Sequence, residues 1–419
     1  MTSNKMDIFQ SEIPIGVVFN SQVNGLGIIR SLSEKKIPVL ALDSNPRAIG
    51  LFSKYCKGIV CPNPKEDELK FIDFLIDIGK KLKYKGVLFL TDDVGLVTVS
   101  KWQIKLEKYY YFPMSKWDII QNCISKEKMY QIAMRNNIPI PQTLFPKSMS
   151  ELREASKKIP YPFIIKPVAP WKFKKTYKIE KVEREEDLEK WLINNEDIFD
   201  NEDITISIQE IIPGQPSNLY TFTSYSNRES DIVGFSVIRK IIQSPYDFGT
   251  ILSGEVAYEP EVIKLGTKVI KEFNYYGLSN TEFKKDSRDG KFKLMEINPR
   301  SGLSIYYTTK TGINLPFLAY SEAVGNNGEY DNYAYPITGE YGAIWVKFPI
   351  CFYPLVKKVS NDPFRRESWL LLLYQIRLLL VRKKIFAVGS LKDPLPKIID
   401  FLNSLDLIIK RITRRGVRR

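Results

Sequence analysis

The chain has 419 residues, 44% hydrophobic and 12% aromatic, enough to bury several cores and too apolar for a disordered protein. It contains no histidine, which excludes Ser-His-Asp and Cys-His nucleophilic catalysis, histidine-ligated zinc and histidine general-base chemistry; its four cysteines are too few for a disulfide scaffold. Net charge is +14, but residues 361 to 419 carry 14 basic and 5 acidic residues, so most of the excess sits in the tail and a nucleic-acid partner is not expected.

The opening "MTSNKMDIFQSEIPIGVVFN" has no long apolar run behind basic residues, and a cytoplasmic location is the expectation. From 13 to 113, short apolar runs ("IGVVF", "IPVLALD", "GVLFLTDD") alternate with helix-like segments ("LGIIRSLSEKK", "FIDFLIDIGKKL"), the pattern of a parallel, helix-covered sheet. Gly25 and Gly27 allow a tight turn at a helix N-terminus, but "NSQVNGLG" is not GxGxxG. Close strand-to-helix packing is expected there, with the loop contributing to a pocket at the carboxyl ends of the strands.

"SKEKMYQIAMRNN" has helical apolar spacing and ends at the prolines of "IPIPQT". "YPFIIKP" reads as a buried strand with Lys166 near its end, and "ITISIQEIIPG" as another, with Glu210 before Pro213 and Gly214. An exposed helix, "EREEDLEKWLINN", lies between them. Strands follow around 219 to 241, a helix near 261 to 275, then the pair "LSNTEFKKD" and "KFKLMEINP" joined by "SRDGK".

In a strand, residues i and i+2 share a face, which puts Phe292, Leu294, Glu296 and Asn298 on one side and Lys293, Met295 and Ile297 on the other. A three-residue loop, Arg288-Asp289-Gly290, with Gly290 left-handed, sets Ser287 opposite Lys291 and Glu282 opposite Glu296. A two-residue turn would instead set Glu282 opposite Ile297. Two carboxylates about 5 Å apart on one sheet face repel unless a cation lies between them. Glu282, Glu296 and the Asn298 amide form the sparse oxygen set that Mg²⁺ accepts when phosphates and waters complete its shell. The competing reading is a solvated hairpin whose glutamates pair with Lys284 or Lys293.

"LSNTEFKKDSRDGKFKLMEINPRSG" resembles the metal-binding hairpin of ATP-grasp enzymes, and the rest of that fold is matched in order. "SKEKMYQIAMRNNIPIPQT" resembles the lysine-bearing opening helix, "YPFIIKP" the phosphate-lysine strand and "IQEIIPG" the adenine hinge. "SVIRKIIQSPYDFGT" and "FAVGSLKDPLP" extend the similarity to the D-aspartate ligase-like carboxylate-amine ligases, over nearly the whole chain. The resemblance implies an α/β and α+β protein: a pre-ATP-grasp parallel α/β domain (1–115), a two-subdomain ATP-grasp domain (116–330; lid 145–207, metal-binding part 208–330) and a helical, basic C-terminal extension (331–419).

It also implies roles. Lys126 (or its neighbour Lys128) and Lys166 would contact ATP phosphates; Glu210 and the backbone of Ile212 would hold adenine. Glu282, Glu296 and Asn298 would ligate Mg²⁺, with Mn²⁺ as a substitute. Arg300 would stabilise an acyl phosphate or tetrahedral intermediate, and Arg239 and Lys240 the γ-phosphate or a substrate carboxylate. Two departures stand out: "PVAPWKFKKTYK" lacks the family's glycine-rich loop, leaving Lys172, Lys174, Lys175 or Lys178 to supply charge, and "GQPSNLY" lacks an acidic residue for the ribose.

The implied reaction activates a small-molecule carboxylate with ATP and joins it to an amine, with ADP and phosphate released. Bicarbonate activation is the runner-up, disfavoured by the lack of an "MKM" carrier segment; a non-catalytic ATP-binding scaffold on a membrane is disfavoured by the intact metal set. In the tail, the apolar run Leu370 to Val381 is shorter than the roughly 17 to 25 residues that span a bilayer. Two readings stand: a helix packed on the core or on a partner subunit of a homodimer, or an interfacial helix on the anionic inner membrane face.

Overall fold

A computed structural model describes residues 7–167, 180–196, 198–199, 206–245, 249–326, 337–338, 341–361 and 366–416. The first unit contains β1 (Gly16–Phe19), α1 (Val23–Ser33), β2 (Val39–Asp43), β3 (Lys57–Val60), α2 (Glu68–Lys81), β4 (Gly86–Leu90), α3 (Asp93–Lys101), α4 (Gln103–Leu106) and β5 (Tyr110–Tyr111). The strands pair in parallel in the order β3-β2-β1-β4-β5. β1, β2 and β4 are buried along their whole length, as unbroken Val/Leu/Phe runs require of strands covered on both faces. Asp67 and Asp92 begin α2 and α3 by accepting from the backbone N–H groups of Lys70 and Gly95.

Gly25 and Gly27 lie inside α1 rather than in a turn before it. A Cβ on Gly25 would stand 2.3 Å from the Asn20 carbonyl oxygen, and one on Gly27 would stand 2.6 Å from an Ile305 methyl. The first glycine lets α1 close on β1; the second lets it close on a helix nearly 280 residues away in sequence.

Two helices, α5 (Trp117–Ile124) and α6 (Lys126–Arg135), lead into a four-stranded antiparallel sheet of order β6-β9-β7-β8. It contains β6 (Thr143–Leu144), α7 (Met149–Ser156), β7 (Phe163–Pro167), β8 (Glu180–Val182), α8 (Glu185–Asn194) and β9 (Ile206–Glu210). The large sheet follows: β10 (Leu219–Ser226), β11 (Ile232–Ser244), β12 (Thr250–Val256), α9 (Pro260–Glu272), β13 (Gly277–Lys285) and β14 (Phe292–Asn298). α10 (Ile305–Lys310) and α11 (Leu315–Ala323) then pack Ile305, Leu315 and Leu318 into one core with Val18, Ile28 and Ile29 of the first unit.

The C-terminal segment is more than the expected helical extension. After β15 (Ile337–Thr338), β16 (Ala343–Val346) and β17 (Lys383–Phe386) extend the large sheet to the order β14-β13-β10-β11-β12-β16-β17. α12 (Tyr353–Asn361) and α13 (Arg366–Val381) connect them, and α14 (Leu395–Gly416) returns to the first unit. Ahead of α14, Asp393 accepts from Arg30 Nε at 3.1 Å, Ser53 Oγ at 2.8 Å and the Lys54 N–H at 3.0 Å. Arg30 and Asp393 are 2% and 1% exposed. Because Asp393→Ala leaves a guanidinium buried with no counter-charge, it is expected to cost about 3–5 kcal/mol of unfolding free energy in a denaturant titration. A loss below about 1 kcal/mol would show that the pair is not what docks this segment.

Candidate active site

The β13-β14 hairpin reaches the expected pairing by a different route. Lys285 pairs with Phe292 and the Asp286 N–H bonds the Lys291 carbonyl at 2.8 Å, so the loop is the four residues Ser287 to Gly290, with Gly290 at φ +75°. That loop alone would set Glu282 opposite Met295. The register shifts between Glu282 and Phe283, a bulge that absorbs Met295 and restores Glu282 opposite Glu296. It also reverses the alternation: Phe292, Leu294 and Ile297 all enter the same core, while Glu296 and Asn298 turn into the cleft. Lys293, expected on the face opposite Glu296, reaches Glu210 at the cleft end of β9.

Lys293 pairs with Glu210 and Asp286 rather than with either glutamate of the hairpin. Lys126 Nζ stands 3.1 Å from Glu296 Oε2, and Lys240 Nζ stands 2.7 Å from Glu282 Oε2. Asn298 Nδ2 donates to Glu296 Oε1 at 2.9 Å. Lys126 is the first residue of α6, which begins on a Ser125 cap, whereas Lys128 points away to Gln121. Lys126, with help from Asn298, pulls Glu296 down to about 2 against its burial. Burial raises Glu282, and Lys240 only partly offsets it.

These groups line a cavity of about 950 Å³ bordered by all three sheets. Lys166, at the end of β7, donates to Gln209 Oε1 at 2.7 Å. Burial, with Lys126 nearby, lowers Lys166 to about 7. Glu210 has both carboxylate oxygens occupied, by the Gln142 N–H (2.9 Å), Lys293 (2.9 Å) and Arg288 (2.7 Å), so its side chain anchors the hinge. What it and Ile212 offer the cavity is backbone beside the apolar side chains of Ile164, Leu219 and Met295.

Arg300 lines the cavity and is gripped by Asp93, Nε to Oδ1 at 2.7 Å and Nη2 to Oδ2 at 3.2 Å. Arg239 is not among the residues lining the cavity. Adjacent strand residues face opposite ways, so while Lys240 points in, Arg239 turns to Glu255, which Arg382 also approaches at 3.5 Å. Lys172, Lys174, Lys175 and Lys178 lie outside the described residues.

Asp93 is the site residue that the sequence reading missed. The signal was the "TDD" at the carboxyl end of β4, where ligands of parallel sheets gather. Asp93→Ala is expected to lower turnover about tenfold by releasing Arg300 from its bidentate clamp, with KM for ATP little changed and Asp93→Glu partly restoring the rate. Steady-state ADP release gives the split; an effect confined to KM for ATP would rule the clamp out.

Among the described residues there is no cluster of three His, Cys, Asp or Glu side chains able to hold a metal. The donor set is two glutamates and an amide. Its fit to Mg²⁺ rests on two ammonium groups, those of Lys126 and Lys240, standing against the carboxylates: the pair needs cationic charge, and its hard oxygens suit a cation whose remaining ligands are phosphate and water.

A family model described as "ATP-grasp in the biosynthetic pathway with Ter operon" matches residues 239–340. D-aspartate ligase of Enterococcus faecium (strain Aus0004) is 23% identical over 341 residues, 77% of this chain and 79% of the relative. Among solved structures, L-amino acid ligase from Bacillus licheniformis superposes with a TM-score of 0.57 at 17% identity, covering 75% of each chain. The biotin carboxylase domain of Hydrogenobacter thermophilus 2-oxoglutarate carboxylase, in complex with MgADP, ADP and bicarbonate, superposes with a TM-score of 0.60 at 18% identity, covering 80% of this chain and 74% of that one. Shared fold, matched family segment and a relative aligned over 77% of this chain lead to one assignment: residues 239–340 match an ATP-grasp family, and the chain as a whole resembles the ATP-grasp carboxylate-amine ligases.

Proposed function

We propose that the protein is an ADP-forming ligase that converts a substrate carboxylate to an acyl phosphate and transfers the acyl group to an amine. The observation that carries this reading is the opposition of Glu282 and Glu296, with Lys126, Lys240 and Arg300 around one cavity. The similarity to D-aspartate ligase and L-amino acid ligase makes amino acids the first substrates to test.

A carboxylate oxygen attacks the γ-phosphorus, the bond to the bridging oxygen breaks, and ADP leaves. The amine nitrogen then attacks the acyl carbon, the carbon–oxygen bond to phosphate breaks, and the nitrogen loses a proton to the departing phosphate. Lys126, Lys166 and Lys240 place positive charge along the triphosphate, and Arg300 beside the developing oxyanion. The adenine edge meets the backbone of Glu210 and Ile212. Glu282, Glu296 and Asn298 would hold Mg²⁺, or Mn²⁺ in its place, which would supply charge neutralisation at the transferring phosphoryl group. In this reading a lid of about residues 145–207 excludes water that would hydrolyse the acyl phosphate. Small-molecule acid and amine are the partners this chemistry needs, in a cytoplasmic setting; among the described residues no helix is long and apolar enough to cross a membrane.

The test is a screen of amino acids and small carboxylates, singly and with amines, for Mg²⁺-dependent ADP release, followed by mass measurement of the product. An acid-stimulated ADP release with a product heavier than the acid by the amine minus water supports ligation. ATP turnover that no acid stimulates overturns it.

A further inference from the structure

α13 is apolar on two sides. Leu372 and Leu378 face inward, in one cluster with Ile242, Leu252, Ile344 and Val346 of the large sheet, so the helix is packed on the core. Trp369, Leu373, Ile376 and Leu380, spaced by four, three and four residues, form a separate stripe that is 45%, 57%, 38% and 77% exposed. Such a stripe, on the side of the helix turned away from the core, is the kind of exposed apolar surface that marks an interaction site.

α14 repeats the pattern. Leu395, Ile398, Leu402 and Leu405, spaced by three, four and three, are all exposed, while the helix packs against the turn at Ile49–Phe52. The two regions are joined by further exposed apolar surface. Phe348, just ahead of α12, and Phe386, at the end of β17, are both exposed with ring centroids 6.2 Å apart, and Lys397 of α14 bonds the Phe348 carbonyl at 3.1 Å.

Charge decides what covers this surface. Residues 361 to 419 carry 14 basic and 5 acidic residues. Three of those acids are engaged by cations of this chain: Asp393 by Arg30, Asp400 by Lys397 and Asp406 by Arg47. Pairing this segment with that of a second copy would bring together two segments that each carry nine more basic than acidic residues, whereas an anionic bilayer matches both the apolar stripes and the charge.

We propose that the exposed faces of α13 and α14 form a docking surface for an anionic phospholipid bilayer, lying in its interfacial layer without crossing it. The apolar stripes insert among the headgroups and the basic residues of the segment draw the protein to the surface. This leaves the cleft and its chemistry untouched.

The experiment is flotation of the full-length protein with vesicles of phosphatidylcholine containing about 30 mol% phosphatidylglycerol, against phosphatidylcholine alone. Binding is expected on the anionic vesicles only, weakening as salt rises from about 0.05 to about 0.5 M. L373E/L380E on α13 and I398E/L402E on α14 are each expected to reduce the bound fraction about tenfold, with circular dichroism and melting temperature unchanged because the four side chains are exposed. Absence of flotation on the anionic vesicles, or flotation indifferent to both pairs of substitutions, overturns the proposal. A concentration-dependent dimer in sedimentation equilibrium, dissolved by L373E/L380E in a protein that ignores the vesicles, would overturn it in favour of a second copy.

Discussion

Glu296→Ala is expected to lower turnover by about 10³ and to shift the Mg²⁺ titration of ADP release to much higher concentration. Glu296 is the residue on which the site converges: Lys126 and Asn298 bond its two oxygens, and it faces Glu282 across the hairpin. Its removal deletes a proposed metal ligand and frees Lys126, a second defect that extra metal cannot repair. Glu296→Gln keeps the shape and loses the charge, so it should recover little. Asn298→Ala with Arg300→Ala, which leaves both carboxylates in place, should cost about 10² to 10³ in turnover with a smaller shift in the metal titration. Near-normal turnover in either variant, with an unmoved titration, would remove the hairpin from the reaction.

MgATP binding at pH 8 is expected to take up close to one proton, because Lys166 arrives largely neutral and leaves charged. Burial and the neighbouring Lys126 lower it from 10.5 to about 7, and an incoming phosphate is the anion that would raise it again. Calorimetry in buffers of different ionisation enthalpy measures the uptake. Lys166→Met should abolish it and weaken ATP binding by about tenfold to a hundredfold. The same group gives a stability dependence of definite sign. Between about pH 7 and 10.5 the unfolded chain binds the Lys166 proton and the folded chain does not, so this contribution to stability improves as pH rises through that window and is least favourable below it. Proton uptake that persists in Lys166→Met would assign it to another group.

Much of the fold was legible in local pattern. Unbroken apolar runs separated by helical periods announced the parallel sheet; apolar spacing and the prolines after Asn137 marked the lysine-bearing helix; an amide beside a glutamate in an apolar strand announced the hairpin site. The same reading placed Glu282 against Glu296 through two offsetting differences, a loop one residue longer and a bulge at Met295. A bulge follows from the pairing of whole strands, and no dipeptide in β14 marks it.

By itself, the sequence determined the order of elements as far as the hairpin, the lack of histidine chemistry and the carboxylate-amide set, because period, turn chemistry and side-chain type are local properties. Tertiary structure alone decided the rest. It turned Lys240 inward and Arg239 outward, brought Asp93 from the first sheet to Arg300, and joined β16 and β17 to the large sheet behind a buried Arg30-Asp393 pair. Each of these depends on which distant segment supplies the partner for a charge or a strand edge. That choice is made by packing the whole chain around its cores.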